Sequence, residues 1–130
     1  MRIGFRFDSS ELIGAGHASR CTTLADELSR RGAEVAVCTR VLLDDDRREI
    51  ESKGYPIYWL GKRIDSEIQD AGATIAAIGD VDVLVVDHYG LGAVWEIAVR
   101  MAAKAVVVID DLANRVHDAD LIVDSTYPGI

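Results

Sequence analysis

The chain has 130 residues, 49% of them hydrophobic, and a formal charge of -8 at pH 7. That length suits one domain with a core of its own, without disulfide or metal staples, and the composition excludes a disordered chain. The negative charge argues against nucleic acid or an anionic membrane as a general partner, yet leaves room for a local phosphate site built from backbone N–H groups.

Arg2 to Phe7 reads as a first strand that reaches an acid at Asp8, unlike a secretory leader. Cys21, Leu24, Ala25 and Leu28 recur at helical spacing on one face. Their helix ends at Arg30-Arg31-Gly32, with cations at the negative end and then a glycine. Val35 to Thr39 is a second strand, Leu43 to Lys53 a polar helix stopped by Gly54, and Tyr55 to Leu60 a third strand. Ile64, Ile68, Ile75 and Ile78 are expected to line a third helix. Val81 to Asp87 is a near-continuous apolar run of the kind found in parallel strands buried on both faces. A fourth helix is expected over Val94 to Ala103, a strand over Ala105 to Asp110 and a short last one over Leu121 to Asp124.

This alternation predicts an α/β fold: a Rossmann-like parallel sheet of about six strands with flanking helices, in the order 3-2-1-4-5-6. Cys21 and Cys38 form no CxxC pair and no zinc-spaced cluster, so we expect reduced core cysteines, no metal and a cytoplasmic protein. No apolar run is long enough to span a bilayer, so no membrane is expected. Asp44-Asp45-Asp46 beside Arg47-Arg48 reads as a solvated helix face.

Open parallel sheets bind ligands beyond the carboxyl ends of their strands, where strand order reverses. Three loops leave such ends. They carry Asp8 to His17, then Asp87-His88-Tyr89-Gly90, then Asp110-Asp111-Leu112-Ala113-Asn114-Arg115. In the first loop, Gly14 and Gly16 permit a tight turn and close approach of a ligand to the backbone. The helix start behind them offers N–H donors and positive potential, which disfavours imidazolium and leaves His17 able to accept a proton as a general base. The opposing reading is that the glycines only make a turn and His17 caps or packs.

A dinucleotide fingerprint fails in this loop, because Ser19 stands at the third glycine and Cys38-Thr39-Arg40 offers no ribose-binding acid. No G-K-[ST] follows, so this is no P-loop and no cofactor is expected. Tyr89 can bond a ligand, orient a water or pack at the sheet edge. His88 reads first as a structural histidine, His117 as structural or solvated, and Asp110 with Asp111 either as a ligand-binding pair or as turn caps.

These residues carry a resemblance. Arg6-Phe7-Asp8, Ile13-Gly14-Ala15-Gly16-His17, Arg20 and Leu24-Ala25 resemble the opening motif of the UDP-2,4-diacetamido-2,4,6-trideoxy-β-L-altropyranose hydrolases of pseudaminic acid biosynthesis, which are related to spore-coat polysaccharide proteins. Asp87-His88-Tyr89-Gly90 and Asp110 to Arg115, with His117 and Asp120, resemble two further motifs of that family, in the same order. The resemblance implies one half of the two-domain B-type glycosyltransferase (GT-B) architecture. It implies water attack on the anomeric carbon with release of UDP, and His17 as the base. Asp8 and Tyr89 join it as catalytic candidates, while Gly14, Gly16, Arg20, Asp87, His88 and Asp111 are substrate-binding candidates.

The chain stops near where that family's first domain ends. We therefore expect a single N-terminal domain over 1–130, lacking the nucleotide-binding half and inactive alone. Its exposed cleft face is then a candidate for self-association. Two alternatives stand beside the hydrolase. One is the acceptor-binding half of a related glycosyltransferase; that class shows a richer glycine motif and an apolar docking patch for which the sequence offers no candidate. The other is a sugar-nucleotide-binding domain without turnover.

Overall fold

The computed structural model describes residues 1–61, 66–110 and 116–124. In chain order their elements are β1 (Arg2–Phe7), α1 (Gly16–Arg30), β2 (Glu34–Thr39), α2 (Asp44–Ser52), β3 (Ile57–Trp59), α3 (Glu67–Ile78), β4 (Val81–Asp87), α4 (Ala93–Val99), β5 (Ala103–Ile109) and β6 (Leu121–Val123). All six strands are parallel, in the order β3-β2-β1-β4-β5-β6. The fold is thus a Rossmann-like α/β sheet with the predicted strand order, which reverses between β1 and β4. Among the described residues, no helix is long and apolar enough to cross a membrane.

Strand alternation divides the core into two layers. Ile3, Phe5 and Phe7 of β1 pack with Val35 and Val37 against Ala18, Cys21 and Ala25 of α1 and Ile50 of α2. Ala36, Cys38, Leu84, Val86, Val106 and Val108 face the other way, against Ala71 and Ile78 of α3 and Trp95 and Val99 of α4. Gly4 faces this second layer: a Cβ there would meet Ile78 Cδ1 at 2.5 Å. Its lack of a side chain lets α3 lie close to the sheet. Both cysteines are buried and free, and burial raises both thiols, that of Cys38 to about 12.

The elements differ from the sequence reading in three places. Strand β3 covers only Ile57–Trp59, although Val37 N still donates to Pro56 O and Leu60 N to Thr39 O on either side of it. Helix α4 ends at Val99 and β5 begins at Ala103, two residues earlier than predicted, because Ala103 must pair with Val81 of the neighbouring strand. In α3, Ser66 caps the first turn by accepting from Gln69 N at 3.1 Å. There Ile68 is exposed, Ile64 lies outside the described residues, and the buried face is Asp70, Ala71, Thr74 and Ile78. The isoleucine pattern found Ile75 and Ile78, which pack on the core, but missed Asp70 and Thr74 because these inward positions are polar.

Those polar positions serve a buried cation. Arg6 is 0% exposed. It donates to Asp70 through Nε (3.0 Å) and Nη2 (2.8 Å), and to Asp8 through Nη1 (2.8 Å). Asp70 also accepts from Trp95 Nε1 at 2.9 Å and Arg40 Nε at 2.8 Å. Burial alone would lower the charge on Arg6, but Asp70 and Asp8 outweigh it and raise its affinity for the proton. Asp70 is lowered in turn: burial pushes it up, and the Arg6, Arg40 and Trp95 donors push it down further.

Candidate active site

The chain leaves β1 through Asp8, and α1 starts eight residues later at Gly16. The loop between them closes on itself, with Gly14 N on Ser10 O at 2.6 Å and Ile13 N on Ser10 Oγ at 3.1 Å. Gly14 turns with φ of +87°, so the tight turn rests on it. Gly16 has no such backbone requirement; it is the first residue of α1, and a Cβ there would sit 3.6 Å from Arg20 Nη1. His17 follows within the first helical turn, for which Ala15 supplies no side-chain cap.

Register then brings in β4. Phe7 pairs with Asp87, so the last residue of β4 lies beside the end of β1 at the point where strand order reverses. Asp87 Oδ1 meets His17 Nδ1, and both side chains are almost wholly buried. The carboxylate can only accept, so His17 donates from Nδ1, and in the singly protonated ring Nε2 is the bare nitrogen. Among the described residues Nε2 has no hydrogen-bond partner.

Arg20, one helical turn on, donates to Asp87 Oδ2 through Nε and to Oδ1 through Nη2, each at 3.0 Å. Its Nη2 also lies 3.1 Å from His17 Nδ1. Since both nitrogens carry protons, they share Oδ1 rather than bonding one another. The Tyr89 ring meets the His17 ring edge-on, with centroids 4.5 Å apart at 74°.

A second histidine–carboxylate pair crosses the first. His88, just beyond β4, bonds Asp8, just beyond β1, through Nε2 at 3.0 Å. Its Nδ1 accepts from Gly90 N at 2.9 Å, which assigns the proton to Nε2. A Cβ on Gly90 would lie 3.2–3.3 Å from the His88 ring, so the glycine makes room for that turn. Asp8 also accepts from Thr39 Oγ1 (2.9 Å), Arg40 N (2.8 Å) and Arg6. Burial would raise Asp8, but His88, Arg6 and Arg40 N hold it far below the usual carboxylate range. Asp8 makes no bond to His17: of the two acids, Asp87 orients that ring.

The third loop holds another histidine. His117 sits between Glu96 Oε2 on Nδ1 and Asp110 Oδ2 on Nε2, each at 2.6 Å. Burial opposes its charge, yet the two carboxylates win and raise its affinity for the proton. Asp111 lies outside the described residues. Among those described, no three His, Cys, Asp or Glu side chains are gathered as metal ligands.

Sequence reasoning missed Asp70 and Glu96, each buried beneath this edge. Their signal was an acid set against apolar helical residues, in Asp70-Ala71-Gly72-Ala73 and in Ala93-Val94-Trp95-Glu96-Ile97. Such an acid on a buried face demands a partner. No model of a protein family, no curated protein and no solved structure matches this chain.

Proposed function

We propose that this chain is the N-terminal, base-bearing half of a UDP-sugar hydrolase. His17 Nε2 takes a proton from water as its oxygen bonds to the anomeric carbon. The C–O bond to the diphosphate breaks, UDP leaves with the electron pair, and the released sugar has inverted configuration. UDP is a good leaving group, so the main tasks are to place and deprotonate water. The resemblance carried by the three loops suggests 2,4-diacetamido-2,4,6-trideoxy-L-altropyranose as the sugar.

The observation that carries the reading is the His17–Asp87 pair at the strand-order reversal, with Nδ1 engaged and Nε2 bare. A neutral imidazole so oriented is a ready general base. Tyr89 bears on the same ring and is suited to place the sugar or water. A second half would supply the uridine and diphosphate contacts in a GT-B arrangement. In support of a covering partner, Leu12 is 96% exposed and Ile13, Val41, Trp59, Tyr89 and Val116 are also exposed around the carboxyl edge of the sheet.

One observation favours the glycosyltransferase alternative. No apolar docking patch was expected from the sequence, yet Leu12 and Ile13, neighbours in the loop between β1 and α1, are both exposed. A sugar hydroxyl would then replace water as the group that loses its proton.

The test uses the full-length protein that contains this chain, the diacetamido UDP-sugar and oxygen-18-labelled water. The label is expected on the sugar's anomeric oxygen, with UDP released unlabelled. Label in the phosphate, or product only when an acceptor alcohol is added, overturns the hydrolase reading.

A further inference from the structure

The acid that orients His17 is itself held. Asp87 has both oxygens occupied by one guanidinium, Nε of Arg20 on Oδ2 and Nη2 on Oδ1, each at 3.0 Å. A bidentate fork fixes the plane of a carboxylate as a single donor cannot. Of the three groups, Asp87 is 1% exposed, His17 4% and Arg20 25% as side chains, so the interaction is poorly screened by solvent. The guanidinium also faces the ring itself, 3.1 Å from Nδ1.

We propose that Arg20 is a positioning residue that keeps His17 singly protonated with Nε2 bare. The fork holds Oδ1 on Nδ1, which selects the tautomer. The positive charge offsets that of Asp87, which would otherwise favour a second proton on the ring. Among the described residues, the charged or titratable groups that bear on the ring are Asp87 from β4, Arg20 from α1 and Tyr89 from the loop after β4. Arg20 was a substrate-binding candidate in the sequence; the structure adds the bidentate contact of its Nε and Nη2 with Asp87. The inference rests on His17 acting through Nε2, and not on which sugar nucleotide is cleaved.

The test is nitrogen-15 spectroscopy of the histidine rings at pH 7, on the whole 130-residue chain. Wild-type His17 is expected to show a protonated Nδ1 and a bare Nε2. In Arg20→Met the ratio of doubly to singly protonated ring should rise roughly tenfold. Nε2 then moves toward the resonance of a protonated nitrogen. Arg20→Lys, which keeps the charge and loses the fork, should restore most of the singly protonated ring.

His88 and His117 serve as internal controls and should not move. If Arg20→Met does not fold, Arg20→Gln keeps the stem and a donor but removes the charge, and the same rise is expected. An unchanged His17 signal in a folded variant without the charge overturns the proposal. A wild-type ring protonated at Nε2 overturns the proposal and the base assignment together. Failure to hydrolyse a UDP-sugar, with the Arg20 effect intact, overturns only the hydrolase reading.

Discussion

His17 with Asp87 and His88 with Asp8 are reciprocal pairs. Asp87, the last residue of β4, meets His17 from the helix that follows β1, while Asp8, just beyond β1, meets His88, just beyond β4. They differ in how many ring nitrogens the fold uses. His88 is bonded at both, donating to Asp8 and accepting from Gly90 N. His17 is bonded at one. Residue type and neighbouring acid are the same, so what separates a potential base from a strut is the one nitrogen left over. His117 completes the series: both of its nitrogens meet carboxylates, which raise its affinity for the second proton. The acids differ as well. Asp87 answers to His17 and Arg20, whereas Asp8 belongs to a buried network running through Arg6 to Asp70 and Trp95.

The sharpest way to break this contrast is to remove each ring and follow the proposed hydrolysis. His17→Asn is expected to lower UDP release by roughly 10²–10⁴-fold. His88→Gln should cost far less in turnover and appear mainly as lost stability. Equal losses of kcat would sink the distinction.

The next largest effect concerns the network under Asp8. Arg6→Met leaves Asp8 and Asp70 buried without their shared cation, which should cost about 3–5 kcal/mol in denaturant unfolding. A cost below about 1 kcal/mol, the level of a surface pair, would show that the network does not anchor this edge of the fold. Because Asp8 and Asp70 are lowered, their contribution is present above the ordinary aspartate value of 3.8. It is lost as pH falls below 3.8 and through the folded values. Acid titration of Arg6→Met should lack that part of the wild-type loss.

His117 has the opposite sign. Its raised proton affinity contributes stability that is full below its ordinary value of 6.5 and lost as pH rises through the folded value. Hydrogen exchange at Asp118 N, which bonds Glu96 at 2.5 Å, should therefore quicken above pH 6.5, beyond the intrinsic effect of base. His117→Ala should cost about 2 kcal/mol and remove the dependence. Exchange that follows only the intrinsic rate would leave His117 out of the clip.

The smallest effect expected is at Gly14, whose φ of +87° strains any side chain although nothing lies within 4 Å. Gly14→Ala should cost about 1 kcal/mol, with a larger relative effect on turnover than on stability if the turn places His17. A neutral result in both would confine the turn to a passive linker.

Much of the fold is local, and so was legible. The alternation of apolar runs with amphipathic stretches, the stop at Arg30-Arg31-Gly32 and the unbroken Val81–Asp87 run are imprinted at short range, where periodicity reports burial. From them follow six parallel strands and their order. The three loops at the carboxyl edge were also visible, because polar residues cluster where strands end. Helix α3 was the exception: its inward face carries Asp70 and Thr74, and periodicity cannot see a buried polar face whose partner lies 64 residues away in Arg6.

By itself the sequence determined the Rossmann-like sheet, its strand order and the placing of His17, His88 and Tyr89 near one crevice. Only the tertiary structure decided that Asp87 rather than Asp8 holds His17, that His88 is bonded at both nitrogens and that Arg20 makes a bidentate contact with Asp87. The physical reason is range. Strand and helix periods act over a few residues, whereas pairing of charges and hydrogen bonds depends on register between strands and on which atoms meet across 67 to 80 positions of chain.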